Sequence, residues 1–187
     1  MVAGGLIREG GRTYLWDGEI IEPMPENPPH INAVGNLYRI LLGRLPTADW
    51  TIYQGHPIAL AEGFLPQPDI TALRGPRSAY RRRRPTPADV ALLVEVSDST
   101  YSDDAGPCLR AYAAAGIAPY WIVNVRARRI EVYNNPIDEP LSYADRRDHG
   151  PGGLIALSFA PGGIAAAFDP IAVDDVLRDS LDDEAAE

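Results

Sequence analysis

Val90-Ala-Leu-Leu-Val-Glu-Val96 decides the fold. Six of its seven residues are apolar, so the run reads as a central strand covered on both faces. Glu95 breaks the pattern. An ionised carboxylate in such a strand is costly unless it is paired or holds a metal, which makes Glu95 the first candidate for a function. Upstream, Gln67 to Leu73 reads as a short neighbouring strand, with Pro68-Asp69 placing a second carboxylate at a strand end. Between the two strands, Arg74 to Ala88 contains three prolines and the run Arg81-Arg82-Arg83-Arg84, so it reads as a loop.

The elements around this centre follow from periodicity and turn chemistry. Thr13-Tyr-Leu-Trp16 and Glu19-Ile-Ile-Glu22 flank Asp17-Gly18, a type I′ hairpin signal. Pro23, Pro25, Pro28 and Pro29 argue against regular structure before His30. Ile31, Val34, Leu37, Tyr38, Leu41, Leu42 and Leu45 then recur at helical spacing, and Pro46 stops the helix. Trp50 to Leu60 reads as extended chain broken at Gly55 and Pro57. Downstream of the central strand, Asp98 to Asp104 reads as a polar turn, followed by a helix to about Ala115 that Gly116 ends. Pro119 to Val125 and Arg129 to Tyr133 read as an antiparallel pair. Short strands with Gly152-Gly153 and Gly162-Gly163 turns follow, then a short helix near Ile171 to Leu177. The order is that of one α/β (α+β) domain over residues 1–187, with a mixed sheet flanked by helices and an N-terminal hairpin.

Composition bounds the function. A chain of 187 residues with 45% apolar and 23% charged residues is of ordinary globular make-up. No apolar stretch reaches the roughly 20 residues of a membrane span, and Met1 to Arg8 has the pattern of no signal peptide. The lone Cys108 excludes an intrachain disulfide, and a cytoplasmic location is expected. The net charge of −9 argues against passive adhesion to nucleic acid. Its distribution is uneven: arginines cluster from Arg74 to Arg84, and Asp174 to Glu187 reads as an acidic tail, frayed from about residue 179. None of the 187 residues is lysine, and all seventeen basic residues are arginine.

Two carboxylates at the ends of neighbouring strands suit phosphodiester chemistry. Mg²⁺ takes hard oxygen ligands, keeps several waters, and is held by one or two carboxylates plus a phosphate. Asp69 and Glu95 would be those carboxylates, with the Val96 carbonyl as a further candidate ligand for Mg²⁺ or Mn²⁺. Simpler readings stand beside these: Asp69 as a strand cap, Asp104 as a helix N-cap, His30 as a cap or a packed side chain, and the arginine run as a solvated loop. Gln54 could orient a water. The spacing of His30, His56, His149 and Cys108 fits no zinc site.

Four segments in order carry a resemblance: Trp16-Asp-Gly-Glu19 through His30; Pro68-Asp69-Ile70; Val94-Glu-Val-Ser-Asp-Ser-Thr100; and Asp104 through Tyr112-Ala-Ala-Ala-Gly116 to Tyr120-Trp-Ile-Val123. Together they resemble the Uma-type restriction endonucleases of bacteria, in the PD-(D/E)XK nuclease superfamily. The resemblance implies a restriction-endonuclease-like fold and a Mg²⁺- or Mn²⁺-dependent DNA endonuclease with His30, Asp69 and Glu95 at its site. It also implies a catalytic lysine on the helix after the central strand, four residues after Asp104 and four before Tyr112. Cys108 stands there. Spacing by fours puts Asp104, Cys108 and Tyr112 on one helix face, whereas Arg110 lies about 200° around it.

Losing a positioned acid–base group costs about 10²–10⁴ in rate, so three readings follow: an endonuclease working without lysine, a degenerate nuclease fold that binds nucleic acid or a protein, or a nuclease in which Gln54 or an arginine replaces lysine. Cys108 beside Pro107 near a helix start could also carry a depressed pKa. Arg81, Arg82, Arg83 and Arg84 are the candidate phosphate contacts beside the site. A homodimer is expected, with Tyr120, Trp121, Tyr133 and Phe159 supplying apolar surface.

Overall fold

The computed structural model describes residues 14–16, 18–21, 26–61, 64–159 and 166–180. β1 (Tyr14–Trp16) pairs antiparallel with β2 (Glu19–Ile21), with Trp16 opposite Glu19. That register leaves a two-residue connection, and Gly18 takes the positive φ of 78° that such a turn demands. Thr13, Asp17, Glu22, Pro23, Pro25 and the expected Gly162-Gly163 turn lie outside the described residues.

α1 (Pro28–Arg44) starts two residues before the expected point. Pro28 and Pro29 begin the helix instead of preventing it, because the first helical N–H groups have no intrahelical partner to lose. The Asn27 side chain caps the helix, accepting from the His30 N–H at 3.1 Å. Ala33, Val34, Leu37 and Leu41 face inward. Ile31 and Leu42, placed on the apolar stripe by their spacing, are 51% and 41% exposed, so the buried stripe is narrower than the sequence pattern.

β3 (Trp50–Gln54), β4 (Ile70–Arg74), β5 (Val90–Ser97), β6 (Tyr120–Asn124), β7 (Arg129–Asp138) and β8 (Leu141–His149) form one six-stranded sheet in chain order. Every pairing is antiparallel except β5 with β6. A parallel pair needs a crossover, and a helical segment supplies it: α2 (Tyr101–Asp103), a wide π turn over Asp104–Cys108, and α3 (Leu109–Ala114). Helical structure therefore begins at Tyr101, inside the expected polar turn. Gly116 closes the segment at φ 69°, with its N–H donating to the Ala113 carbonyl and that of Ile117 to the Tyr112 carbonyl. This is a Schellman stop.

β9 (Leu154–Phe159) and β10 (Ala166–Ala172) make a separate antiparallel pair, followed by α4 (Val173–Val176). Two cores result. α1, α4 and β9–β10 cover one face of the sheet, over Ile70, Val94, Val96, Trp121 and Val123. The crossover segment covers the other, over Leu93, Tyr120, Ile122 and Tyr133. The apolar residues expected to form a dimer surface are core: Tyr120, Trp121, Tyr133 and Phe159 are all buried. The acidic C-terminal segment is held further than expected, since Ser180 is fully buried and Asn32 donates to the Asp179 carbonyl; residues 181–187 lie outside the description. No described helix is long and apolar enough to cross a membrane.

Candidate active site

Antiparallel pairing of β4 with β5 puts the start of one beside the end of the other. Asp69 immediately precedes β4, so it opens that strand rather than closing one, and it lies against Glu95 and Val96. The two carboxylates are locked by a crossed pair of hydrogen bonds. The Val96 N–H donates to Asp69 Oδ2 at 2.7 Å, and the Asp69 N–H donates to Glu95 Oε2 at 3.2 Å. Each strand thus grips a carboxylate of the other.

Both carboxylates have a further support. The Tyr112 hydroxyl, fully buried on α3, donates to Glu95 Oε1 at 2.6 Å. Its pKa is pushed well up by burial and by the Glu95 charge, which keeps the phenol protonated as a donor. On the other side, His30 reaches from the first turn of α1 with Nδ1 2.8 Å from the Val96 carbonyl and Nε2 3.3 Å from Asp69 Oδ1. A carbonyl can only accept, so Nδ1 carries a proton and donates. Burial works to lower the His30 pKa, but the Asp69 hydrogen bond and charge, the Glu26 charge and the Val96 carbonyl together raise it. His30 is accordingly clamped between Asp69 and the backbone of β5, and is not a helix cap.

Asp104 forms a third buried carboxylate. Its Oδ2 accepts from Ser97 Oγ at 2.5 Å and Thr100 Oγ1 at 2.7 Å. It lies within the π turn and so is no N-cap. Burial, opposed by the two hydroxyls and reinforced by Asp69 and Asp103, lifts its pKa to about 6. Burial lifts Glu95 well above the usual carboxylate range too, with the charges of Asp69 and Asp104 adding to it. Cys108 is half-buried on the same helical face, and its thiol is raised by burial and by Glu95, Asp104 and Asp103. The depressed pKa expected from its place near a helix start is therefore wrong: desolvation and three acidic neighbours outweigh the helix terminus. Cys108 is a neutral thiol, neither a thiolate nor a cation.

The structure brings His30, Asp69, Glu95, Val96 and Cys108 to one end of the sheet. It does not bring the arginine run there. Arg81 to Arg84 lie in the connection from the end of β4 to the start of β5, whereas the carboxylates lie at the opposite ends of those strands. Five residues of β4 at about 3.4 Å each put some 17 Å between Asp69 and Arg74. Arg83 is also engaged locally, pairing with Asp89 at 2.6 Å and covering the Tyr80 ring. Arg110 is exposed, and Gln54 ends β3 opposite Ile70 with its side chain exposed. His56 bonds the Gln54 carbonyl and stacks on Tyr53. Sequence reading missed the role of Tyr112 and of Asn27, whose amide also donates to Asp98 beside the site. Only their positions in the recurring segments hinted at either.

The family described as "Uma2: Putative restriction endonuclease" matches residues 6–169. The chain belongs to this family. A crystal structure of "a putative nuclease belonging to DUF820 from Anabaena variabilis" matches with a TM-score of 0.65 at 13% identity, covering 96% of this chain and 97% of that one. At that identity the likeness shows the fold alone, a mixed six-stranded sheet with a few helices. No curated protein matches. The expected restriction-endonuclease-like architecture is thus the one this Uma2-family chain adopts.

Proposed function

We propose that this Uma2-family chain is a Mg²⁺- or Mn²⁺-dependent DNA endonuclease whose metal-binding carboxylates are Asp69 and Glu95. The crossed hydrogen bonds between them carry the reading, because they fix two carboxylates at adjoining strand ends independently of any surrounding loop. The donor chemistry fits such a cation. Asp69, Glu95 and the Val96 carbonyl offer hard oxygens, and the carbonyl spends one lone pair on His30 while keeping a second. Glu95 is crowded by two like charges, a repulsion that a bound cation relieves. Among the described residues no three His, Cys, Asp or Glu side chains form a ready-made cage, consistent with an ion that keeps waters and completes its shell with a substrate phosphate.

When bound, the cation supplies charge neutralisation at the phosphate and a more acidic water. The chain's own residues hold the arrangement. Tyr112 fixes the Glu95 carboxylate, the Val96 N–H fixes Asp69, and His30 ties α1 to both Asp69 and β5. Cys108 occupies the place where the family resemblance implies lysine, so the step that such a cation assists runs unassisted. The expected penalty is about 10²–10⁴ in rate. A second reading, a degenerate nuclease fold that binds without cutting, draws on the same substitution.

Mn²⁺ binding followed by electron paramagnetic resonance tests the assignment without requiring turnover. Wild type should bind Mn²⁺, and Asp69→Asn and Glu95→Gln should each weaken binding at least tenfold with an unchanged circular dichroism spectrum. Equal affinity in all three would remove the metal site.

A further inference from the structure

The end of the sheet that carries Asp69 and Glu95 has its own arginines. β6 runs parallel to β5 and ends level with it, Asn124 opposite Ser97. The β6–β7 turn, Val125-Arg-Ala-Arg128, therefore emerges one strand away from Val96, a lateral step of about 4.8 Å. Val125 N–H donates to the Ser97 carbonyl at 2.9 Å, fastening the turn to the site strand. The turn is rigid in itself: the Ala127 N–H is bound by the Asn124 side chain at 3.0 Å, and the Arg128 N–H by the Val125 carbonyl at 3.1 Å.

Arg126 and Arg128 point outward from this frame. Arg126 is 68% exposed and is aimed by Asp98, which accepts from its Nε at 2.8 Å. Asp98 is in turn held by Asn27, the cap residue of the helix that delivers His30. Held through Nε and, at 3.4 Å, through Nη2, the guanidinium keeps its Nη1 donors for another partner. Arg128 is exposed and forms no ion pair among the described residues. It also sits at φ 52°, in the left-handed region that a side-chain-bearing residue rarely takes. Asn or Gly suits that backbone better, yet an arginine stands there. By contrast Arg129 turns inward to Glu131 and Asp148.

We propose that the β6–β7 turn, through Arg126 and Arg128, is a phosphate-binding element that seats a duplex DNA backbone beside Asp69 and Glu95. The inference rests on the nuclease reading for its ligand, and it replaces Arg81 to Arg84 as the contact surface. On a chain of net charge −9, phosphate affinity has to come from a local pair of this kind, because the overall field repels DNA.

Salt-dependent binding of a fluorescent duplex DNA to the full chain, in EDTA and in Ca²⁺, tests it. Each phosphate contact contributes about 0.9 to the slope of log affinity against log salt. Arg128→Asn, which relieves the backbone conformation, should lower the slope by about one while the chain melts no earlier than wild type. Adding Arg126→Gln should lower it by about two, and Arg81→Gln with Arg82→Gln should leave it unchanged. Unchanged slopes in the turn variants, a loss confined to the Arg81 and Arg82 variant, or no duplex binding by wild type would overturn the proposal. Its failure is separable from that of the nuclease reading. Plasmid nicking with unaltered turn-variant binding removes this proposal alone, whereas turn-dependent binding without nicking retains it and removes the enzyme.

Discussion

Asp104 shows at the scale of one residue how the site stores unfavourable charge. Its folded pKa of about 6 lies above the ordinary value of 3.8, so the folded chain holds the proton more tightly than the unfolded chain does. Stability contributed by that proton is complete below about pH 4 and is lost as pH rises through about 6. Asp104→Asn should therefore flatten the stability profile in that window and leave the variant more stable than wild type at pH 7, by on the order of 3 kcal/mol. Chemical denaturation at pH 4 and pH 7 checks this, and parallel losses in both proteins would contradict it. Tyr112→Phe removes the hydroxyl that fixes Glu95 and should lower any nicking rate at least tenfold while preserving the fold. Rates equal to wild type would mean that Glu95 needs no such support. Glu95 was legible in the sequence because a carboxylate stood out in an apolar run. Tyr112 was not, because a tyrosine in a helix reads as core, and here it is also core.

Whole elements position these side chains. α1 delivers His30 through its first turn, and Asn27 fixes that turn twice, by capping the helix and by bonding Asp98. Asn27→Ala should cost about 1 kcal/mol or more, read as a lower denaturation midpoint with an unchanged slope; no change would make the cap incidental. The start of α2 is moored on the far face. Glu131 is fully buried on β7 and accepts from Tyr101, Tyr133, Arg129 and Arg146. Glu131→Ala strips partners from four donors and should cost roughly 1–3 kcal/mol, measurable by thermal melting. Elements differed in how clearly the sequence announced them. β5 was plain from its apolar run, but β8 was announced only as one of several short strands without bounds, because Asp145-Arg146-Arg147-Asp148 carries the charges expected of an exposed edge strand. The start of α1 was obscured by prolines that are well tolerated at a first helical turn. The π turn accommodates Pro107, which has no N–H for the α-helical ladder.

At the scale of the molecule, the topology explains both the site and the correction to its surroundings. Sequence order placed Arg81 to Arg84 between the two carboxylates, yet antiparallel strands send the connection between them to the far end of the sheet. Proximity along the chain was therefore misleading, and only the pairing of β5 with β6 reveals Arg126 and Arg128 as neighbours of the site. The same topology puts Cys108 over Glu95 and Asp104, where an ammonium would be strongly attracted. The proposed two-carboxylate nuclease site carries Cys108 where the family resemblance implies lysine. Plasmid nicking in Mg²⁺ and in Mn²⁺, comparing wild type, Asp69→Ala and Cys108→Lys, tests it most directly. We predict an inert Asp69→Ala, a slow wild type, and a Cys108→Lys variant faster by about 10²–10⁴. Nicking that survives Asp69→Ala, or silence from all three proteins, would rule out the two-carboxylate nuclease site.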